Sequence, residues 1–217
     1  VEDNFFVLPF HSPAIFEMEG PVSYFGIRFR VLAQQWLSTM PVGEWADAGL
    51  ADVLGVAVLH GLCEGIEAAD NFEARCYRAG VLLLANLSYQ GIDRRFANFV
   101  QYAYQQTSSS LDLSDKQCAE FGLSARHLRR LSHLYLGLSP RNFTRVLRFQ
   151  QTLHLMNTPN ISSAWTDRYY DQPHFIREFK LLSGLTPYQF TNSSVLYNAT
   201  DHPSWILRPD KKSIKES

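Results

Sequence analysis

Between residues 111 and 192 one local plan occurs twice: a short helix, a tight turn, then a longer helix. No other feature narrows the fold as much, because each start and stop is written in capping residues. In the first copy, Ser114-Asp115-Lys116-Gln117 fits a capping box and predicts a short helix to Phe121. Gly122 breaks it, as a C′ glycine does. Ser124 then caps a helix over Ala125–Leu136, and Gly137 ends that one. In the second copy a short helix is expected over about 161–169. A turn at Tyr170-Asp171 follows, with Asp171 capping a helix over Gln172–Ser183 and Gly184 ending it. Thr186-Pro187 opens a closing helix to Thr191. Between the copies, Ser139 and Pro140 start a helix that runs to Met156, where Asn157-Thr158-Pro159-Asn160 stops it.

The longer helices are two-faced. In Ala125–Leu136, Leu128, Leu131 and Tyr135 share one side, while Arg126, Arg129, Arg130 and His133 share the other. In Gln172–Ser183, Phe175, Phe179 and Leu182 form the packed side. Arg177 and Lys180 point away from it, with Gln172 and His174 near the start. One side packs and the other is cationic, which is what a helix lying in a DNA major groove requires. A single arginine run is more often a solvated surface; its place in a duplicated architecture favours the groove. The connecting helix, with Phe143, Val146, Leu147 and Leu153 as its apolar side, has 17 residues. It is therefore about 26 Å long, and the offsets of its neighbours bring the spacing near one DNA turn, about 34 Å.

Charge is distributed to match. Residues 1–110 hold 6 Lys+Arg against 12 Asp+Glu, a balance of −6; residues 111–217 hold 14 against 9, a balance of +5. The change falls near the polar run Thr107-Ser108-Ser109-Ser110, which reads as a linker. A basic half behind an acidic one suits a polyanion partner. Of the 217 residues, 46% are hydrophobic and 19% charged, so a packed core is expected rather than disorder. The apolar run at 79–85 is far short of the ~20 residues of a membrane span. Cys63, Cys76 and Cys118 are too few and too scattered for a metal set or disulfide framework; reduced thiols in a cytoplasmic protein, with Cys118 in the core, are expected. His60, His127, His154 and His174 lack metal-ligand spacing, and no phosphate loop, dinucleotide fingerprint or nucleophile elbow occurs. No catalytic, metal or cofactor site is therefore expected. No initiator Met or signal peptide stands at the start, so the chain is read as processed or as a piece of a longer protein.

The front half is less regular. Residues 5–8, 14–18 and 24–30 read as short strands, the last alternating Phe25, Ile27 and Phe29 with Arg28 and Arg30. Short helices follow at 33–40 and 45–54. Longer ones at 71–88 and 93–106 are expected to form an antiparallel hairpin. Cys76, Leu83 and Leu87 space as one face of the first, and Phe96, Phe99, Val100 and Ala103 as one face of the second. That second stripe fits either a core or a dimer surface involving Phe96, Phe99 or Tyr102. Trp36 and Trp45 fit either an effector pocket or a core.

Two stretches then resemble a known family. Residues 122–130 with Leu136-Gly137-Leu138-Ser139-Pro140, and Arg148-Phe149-Gln150 in the connecting helix, resemble the first helix-turn-helix of AraC/XylS-type transcriptional regulators. Residues 169–180 with Ser183-Gly184-Leu185-Thr186-Pro187 resemble the second. Glu19-Gly20-Pro21 and residues 26–30 resemble, more weakly, the end of one type of regulatory domain that precedes such modules. Arg168 stands where the family usually has glycine, and Ser132 where it usually has Phe.

The expected fold is mainly α. A small α+β regulatory or dimerisation region with a helical hairpin covers 1–107. A double helix-turn-helix module joined by a long helix covers 111–192, and a C-terminal tail 193–217. The resemblance implies a cytoplasmic, nucleoid-associated regulator of transcription, not an enzyme. Its expected partners are double-stranded DNA, a small-molecule effector or a second copy bound by the front region, and RNA polymerase, but no membrane. Base contacts are expected from Arg126, Arg129, Arg130, Gln172, His174 and Arg177. Phosphate contacts are expected from Ser139, Arg141, Asn142 and Lys180. The competing reading, motivated by Arg168 and Ser132, is a protein-interaction module with a degenerate DNA surface.

Overall fold

The computed structural model of the chain describes residues 25–45, 47–106, 113–156, 168–192, 195–198 and 204–207. The fold is mainly helical. Two 3-10 turns, Ala33–Trp36 and Val42–Glu44, precede α1 (Leu50–Leu54), α2 (Val56–Glu67), α3 (Phe72–Asn86) and α4 (Arg94–Gln105). Then come α5 (Asp115–Glu120), α6 (Ala125–Leu136), α7 (Pro140–Met156), α8 (Gln172–Ser183) and α9 (Pro187–Thr191). β1 (Val195–Asn198) and β2 (Ser204–Leu207) close the described chain as an antiparallel pair, with Val195 opposite Leu207 and Tyr197 opposite Trp205.

Of the three strands expected near the start, those at 5–8 and 14–18 lie outside the described residues. Residues 25–30 form no strand. Ile27 and Phe29 remain 39% and 36% exposed, so their alternation has no sheet face to bury against. The one strand pair among the described residues lies instead in the segment expected as a tail. Its signal was present in Val195-Leu196-Tyr197 and Trp205-Ile206-Leu207, apolar and aromatic runs around a polar connection.

The chain divides into two compact units. The described parts of the first fall within Phe16–Phe99 and Ser114–Pro140, those of the second within Val100–Leu113 and Arg141–Ser217. The sequence break near residue 107 therefore does not separate them, and α5 and α6 belong to a unit with the front region.

In the first unit the helical hairpin is α2 with α3, not the expected pairing of 71–88 with 93–106. Its apolar seam is Leu62, Ala79 and Leu83, with Leu82 and Ile66 packed alongside. Gly61 on α2 lies close against α3, where a Cβ would sit 3.2 Å from a Leu82 methyl; one on Gly65 would make ordinary contact, 3.7 Å from the Arg78 Cβ. These glycines, with only His60, Glu64 and Glu67 to mark its polar side, hide α2 from periodicity. Cys76 faces solvent, so the expected Cys76–Leu83–Leu87 face is turned relative to the true one. A second cluster joins Val42, Trp45 and Val53, with the Trp45 indole N–H donating to the Met40 carbonyl at 3.1 Å. Trp45 is thus core, whereas Trp36 is 43% exposed and rests on Tyr89 at 4.6 Å between ring centroids.

The second unit is built on α7, α8 and α9. Phe149, Leu153, Met156, Tyr169, Phe175, Phe179, Leu182 and Phe190 form its core. Phe179, fully buried, contacts Phe149, Phe175 and Phe190 at 5.1, 5.6 and 5.3 Å between centroids.

Candidate nucleic-acid interface

The first candidate surface is α6. Ser124 caps it, its hydroxyl accepting the His127 N–H at 3.2 Å, and Gly137 ends it at φ +66°. Leu128, Leu131, Ser132 and Leu136 are buried along one side. Arg126, Arg129, Arg130 and His133 are exposed along the other. The amphipathic pattern thus places three guanidiniums on a free helical surface. The Arg130 guanidinium lies 3.0 Å from His127 Nε2, so this pair is braced along the helix.

The preceding turn is fixed from two sides. Ser114 caps α5 by accepting the Gln117 N–H at 3.4 Å. The Gln117 side chain donates to Glu120 at 2.8 Å. Gly122 carries the turn at φ +69°. The Arg95 guanidinium, from the start of α4, donates to the Gly122 carbonyl at 3.2 Å. Asp93 orients Arg95 through contacts of 3.0 and 2.7 Å, and the same guanidinium holds the Asp93 carboxyl down at about 2.

Beneath the turn, Phe96 stacks with Tyr135 at 5.4 Å and Phe99 meets Phe121 edge-on at 5.7 Å. The stripe offered above as a dimer surface is therefore interior: Phe96, Phe99, Val100 and Ala103 are all buried, and only Tyr102 is partly open. Cys118 is buried as expected.

The second candidate surface is α8. Asp171 caps it, accepting the His174 N–H at 2.7 Å, Pro173 sits in its first turn, and Gly184 ends it at φ +77°. Gln172, Arg177 and Lys180 are exposed. His174 is not: it is half-buried, its ring packs against Tyr169 at 5.7 Å, and its Nδ1 accepts the Tyr170 N–H at 3.4 Å. It braces the turn rather than standing clear as a base reader. The short helix expected over 161–169 falls mostly outside the described residues.

The remaining basic residues separate by use. Arg145 forms an ion pair with Glu178 at 2.9 Å, tying α7 to α8. Arg148 lies over the Tyr169 ring, 5.6 Å from its centroid. Burial raises the Tyr169 phenol above its ordinary range, with a Thr152 hydrogen bond and the Arg148 charge opposing. Arg168 is half-buried and its Nε has no hydrogen-bond partner. Of the phosphate candidates, Arg141 and Lys180 are exposed, while Ser139 and Asn142 are partly buried, with Asn142 Oδ1 accepting from Arg145 at 3.4 Å. Tyr170, one residue before the α8 cap, is 94% exposed. Sequence reasoning included it in the second motif without giving it a contact role, since only exposure distinguishes it from buried Tyr169.

Residues 117–193 match the family model of a helix-turn-helix domain, so the segment carrying both faces is a DNA-binding domain. The two motifs that resemble AraC/XylS-type regulators lie in this same segment, which is about a third of the chain. Neither among curated proteins nor among solved structures does the chain have a match. Among the described residues no helix is long and apolar enough to cross a membrane.

Proposed function

We propose that the chain is a sequence-specific regulator of transcription, without enzymatic activity, acting on chromosomal DNA in the cytoplasm. The observation that carries this reading is the exposed arginine face of α6, opposite a fully buried one, within a matched helix-turn-helix segment. Arg126, Arg129 and Arg130 read bases from α6, and Gln172 and Arg177 read them from α8; arginine suits guanine and glutamine suits adenine. His174 enters only if its turn loosens. Arg141 and Lys180 contact phosphates, helped by Ser139 and Asn142, and set the register of the protein on the duplex. The front region senses an effector or joins two copies. For the second role α3 offers Tyr77, Val81 and Leu84, exposed and spaced i, i+4, i+7. RNA polymerase is the partner through which bound regulator acts.

Salt titration of duplex binding tests the reading. Counterion release from arginine–phosphate contacts makes affinity fall steeply and log-linearly with salt, and removing Lys180 should reduce the slope by about one. The alternative, an interaction module with a degenerate DNA surface, predicts weak binding insensitive to Lys180→Ala.

A further inference from the structure

The exposed faces of α6 and α8 differ in chemistry. On α6 the exposed side chains are Arg126, Arg129, Arg130 and His133, and every apolar side chain of that helix is buried or partly buried. On the first two turns of α8 the exposed side chains are Gln172, Pro173, Ile176 and Arg177. Pro173 and Ile176 have no polar side-chain atom, so half of this patch can make no hydrogen bond to a base.

At about 100° per residue, the order round α8 is Gln172, Ile176, Pro173, Arg177. Pro173 and Ile176 are spaced i,i+3; Gln172 and Ile176, and Pro173 and Arg177, are spaced i,i+4, so the four are neighbours on one surface. The apolar pair therefore lies between the amide and the guanidinium. Ile176 is 37% exposed and lies outside the core of the second unit, which α8 enters through Phe175, Phe179 and Leu182. The helix behind the patch is held at both ends of these turns. Asp171 accepts the His174 N–H at 2.7 Å, and Glu178 pairs with Arg145 on α7 at 2.9 Å. Base edges in the major groove offer donors, acceptors and one apolar group, the 5-methyl of thymine. Cytosine in the same place would bring its N4 amino group against hydrocarbon, losing water without gaining an acceptor.

We propose that Pro173 and Ile176 take the 5-methyl group of a thymine, so that α8 reads an A·T pair between the bases contacted by Gln172 and Arg177. The inference rests on the DNA-binding reading above and adds to it a group recognised without a hydrogen bond. α6 has no exposed apolar side chain, so it carries no methyl preference. The DNA site is then two unlike halves: one chosen by the arginines of α6, the other in part by a methyl group.

Uracil in place of thymine removes the methyl group and keeps the base pair. The probe is the duplex that the full chain selects from a random pool, remade with each thymine in turn replaced by uracil. Uracil at one thymine, beside the base pairs where Arg177→Ala relaxes the preference, should weaken binding about fourfold, the factor for one buried methyl. Ile176→Ala should weaken binding to the thymine duplex and bind thymine and uracil duplexes alike, with its thermal melt unchanged. Ile176→Val should keep most of the discrimination, because a branched apolar side chain remains. Uracil without effect at every position overturns the proposal. So does full discrimination by both Ile176→Ala and Pro173→Ala, or a sensitive thymine beside the base pairs that answer to Arg130→Ala instead. A selected duplex with silent uracils overturns this inference alone. A chain that selects no duplex and binds none in a salt-dependent way overturns the DNA-binding reading, and this inference with it.

Discussion

At the scale of single residues, Ser132 shows how a departure from the family pattern is absorbed. It is fully buried on the packed side of α6, in line with Leu128 and Leu136, and its hydroxyl has no partner. A buried unsatisfied hydroxyl costs about 1–3 kcal/mol. Ser132→Ala should therefore raise the stability of the full chain by about 1 kcal/mol, read as a higher urea midpoint at unchanged slope. A lowered midpoint would mean that the hydroxyl is satisfied in solution. The arginines on the opposite face were readable from sequence because helical spacing separates them from Leu128 and Leu131. The half-buried state of His174 was not, because it depends on a ring contact with Tyr169 and a bond from the Tyr170 backbone.

At the scale of elements, legibility follows the caps. The bounds of α6, α8 and α9 are legible because Ser124, Asp171 and Thr186 each accept the backbone N–H three residues on, and because Gly137 and Gly184 take left-handed conformations. α2 escapes periodicity because it has no side-chain cap and its polar face is only His60, Glu64 and Glu67, beside an exposed Val56. The partner of α3 is not legible in the sequence because pairing depends on how closely backbones approach, and Gly61, where a Cβ would crowd Leu82, adds nothing to periodicity. Gly137 makes a sharp test of the caps. Its φ is +66°, and a Cβ there would come within 3.2 Å of a Val42 methyl. Gly137→Ala should lower stability by about 1 kcal/mol or more, through both backbone strain and contact with Val42. A neutral effect in thermal unfolding would show that the end of α6 relaxes freely.

At the scale of the whole molecule, the role of α4 changes what an autonomous domain must contain. The sequence suggested a fragment beginning near residue 111. Phe96 and Phe99, however, are interior, packed on Tyr135 and Phe121. A fragment over 91–193 should fold cooperatively and sediment as a monomer, whereas one over 111–193 should not unfold cooperatively. The full chain should self-associate through the exposed α3 stripe, which 91–193 lacks. Sedimentation and thermal melts of the three chains check this. A cooperative melt for 111–193, or a full chain that stays monomeric at tens of micromolar with and without DNA, would contradict it.

The central claim is that the exposed faces of α6 and α8 read base pairs. The matched segment 117–193 holds 9 Lys+Arg against 4 Asp+Glu, enough for general attraction to DNA whatever its sequence. Base reading requires more: a change of preference when one side chain is removed. The direct measurement is selection of bound fragments from a random duplex pool by the full chain and by Arg130→Ala and Arg177→Ala. Each variant should lose about 1–3 kcal/mol at the preferred site and relax its choice at one or two particular base pairs, different for the two variants. Lys180→Ala should weaken binding to all sequences alike. If Arg130→Ala and Arg177→Ala both return the preference of the unaltered chain, these faces do not read the groove and the account is wrong.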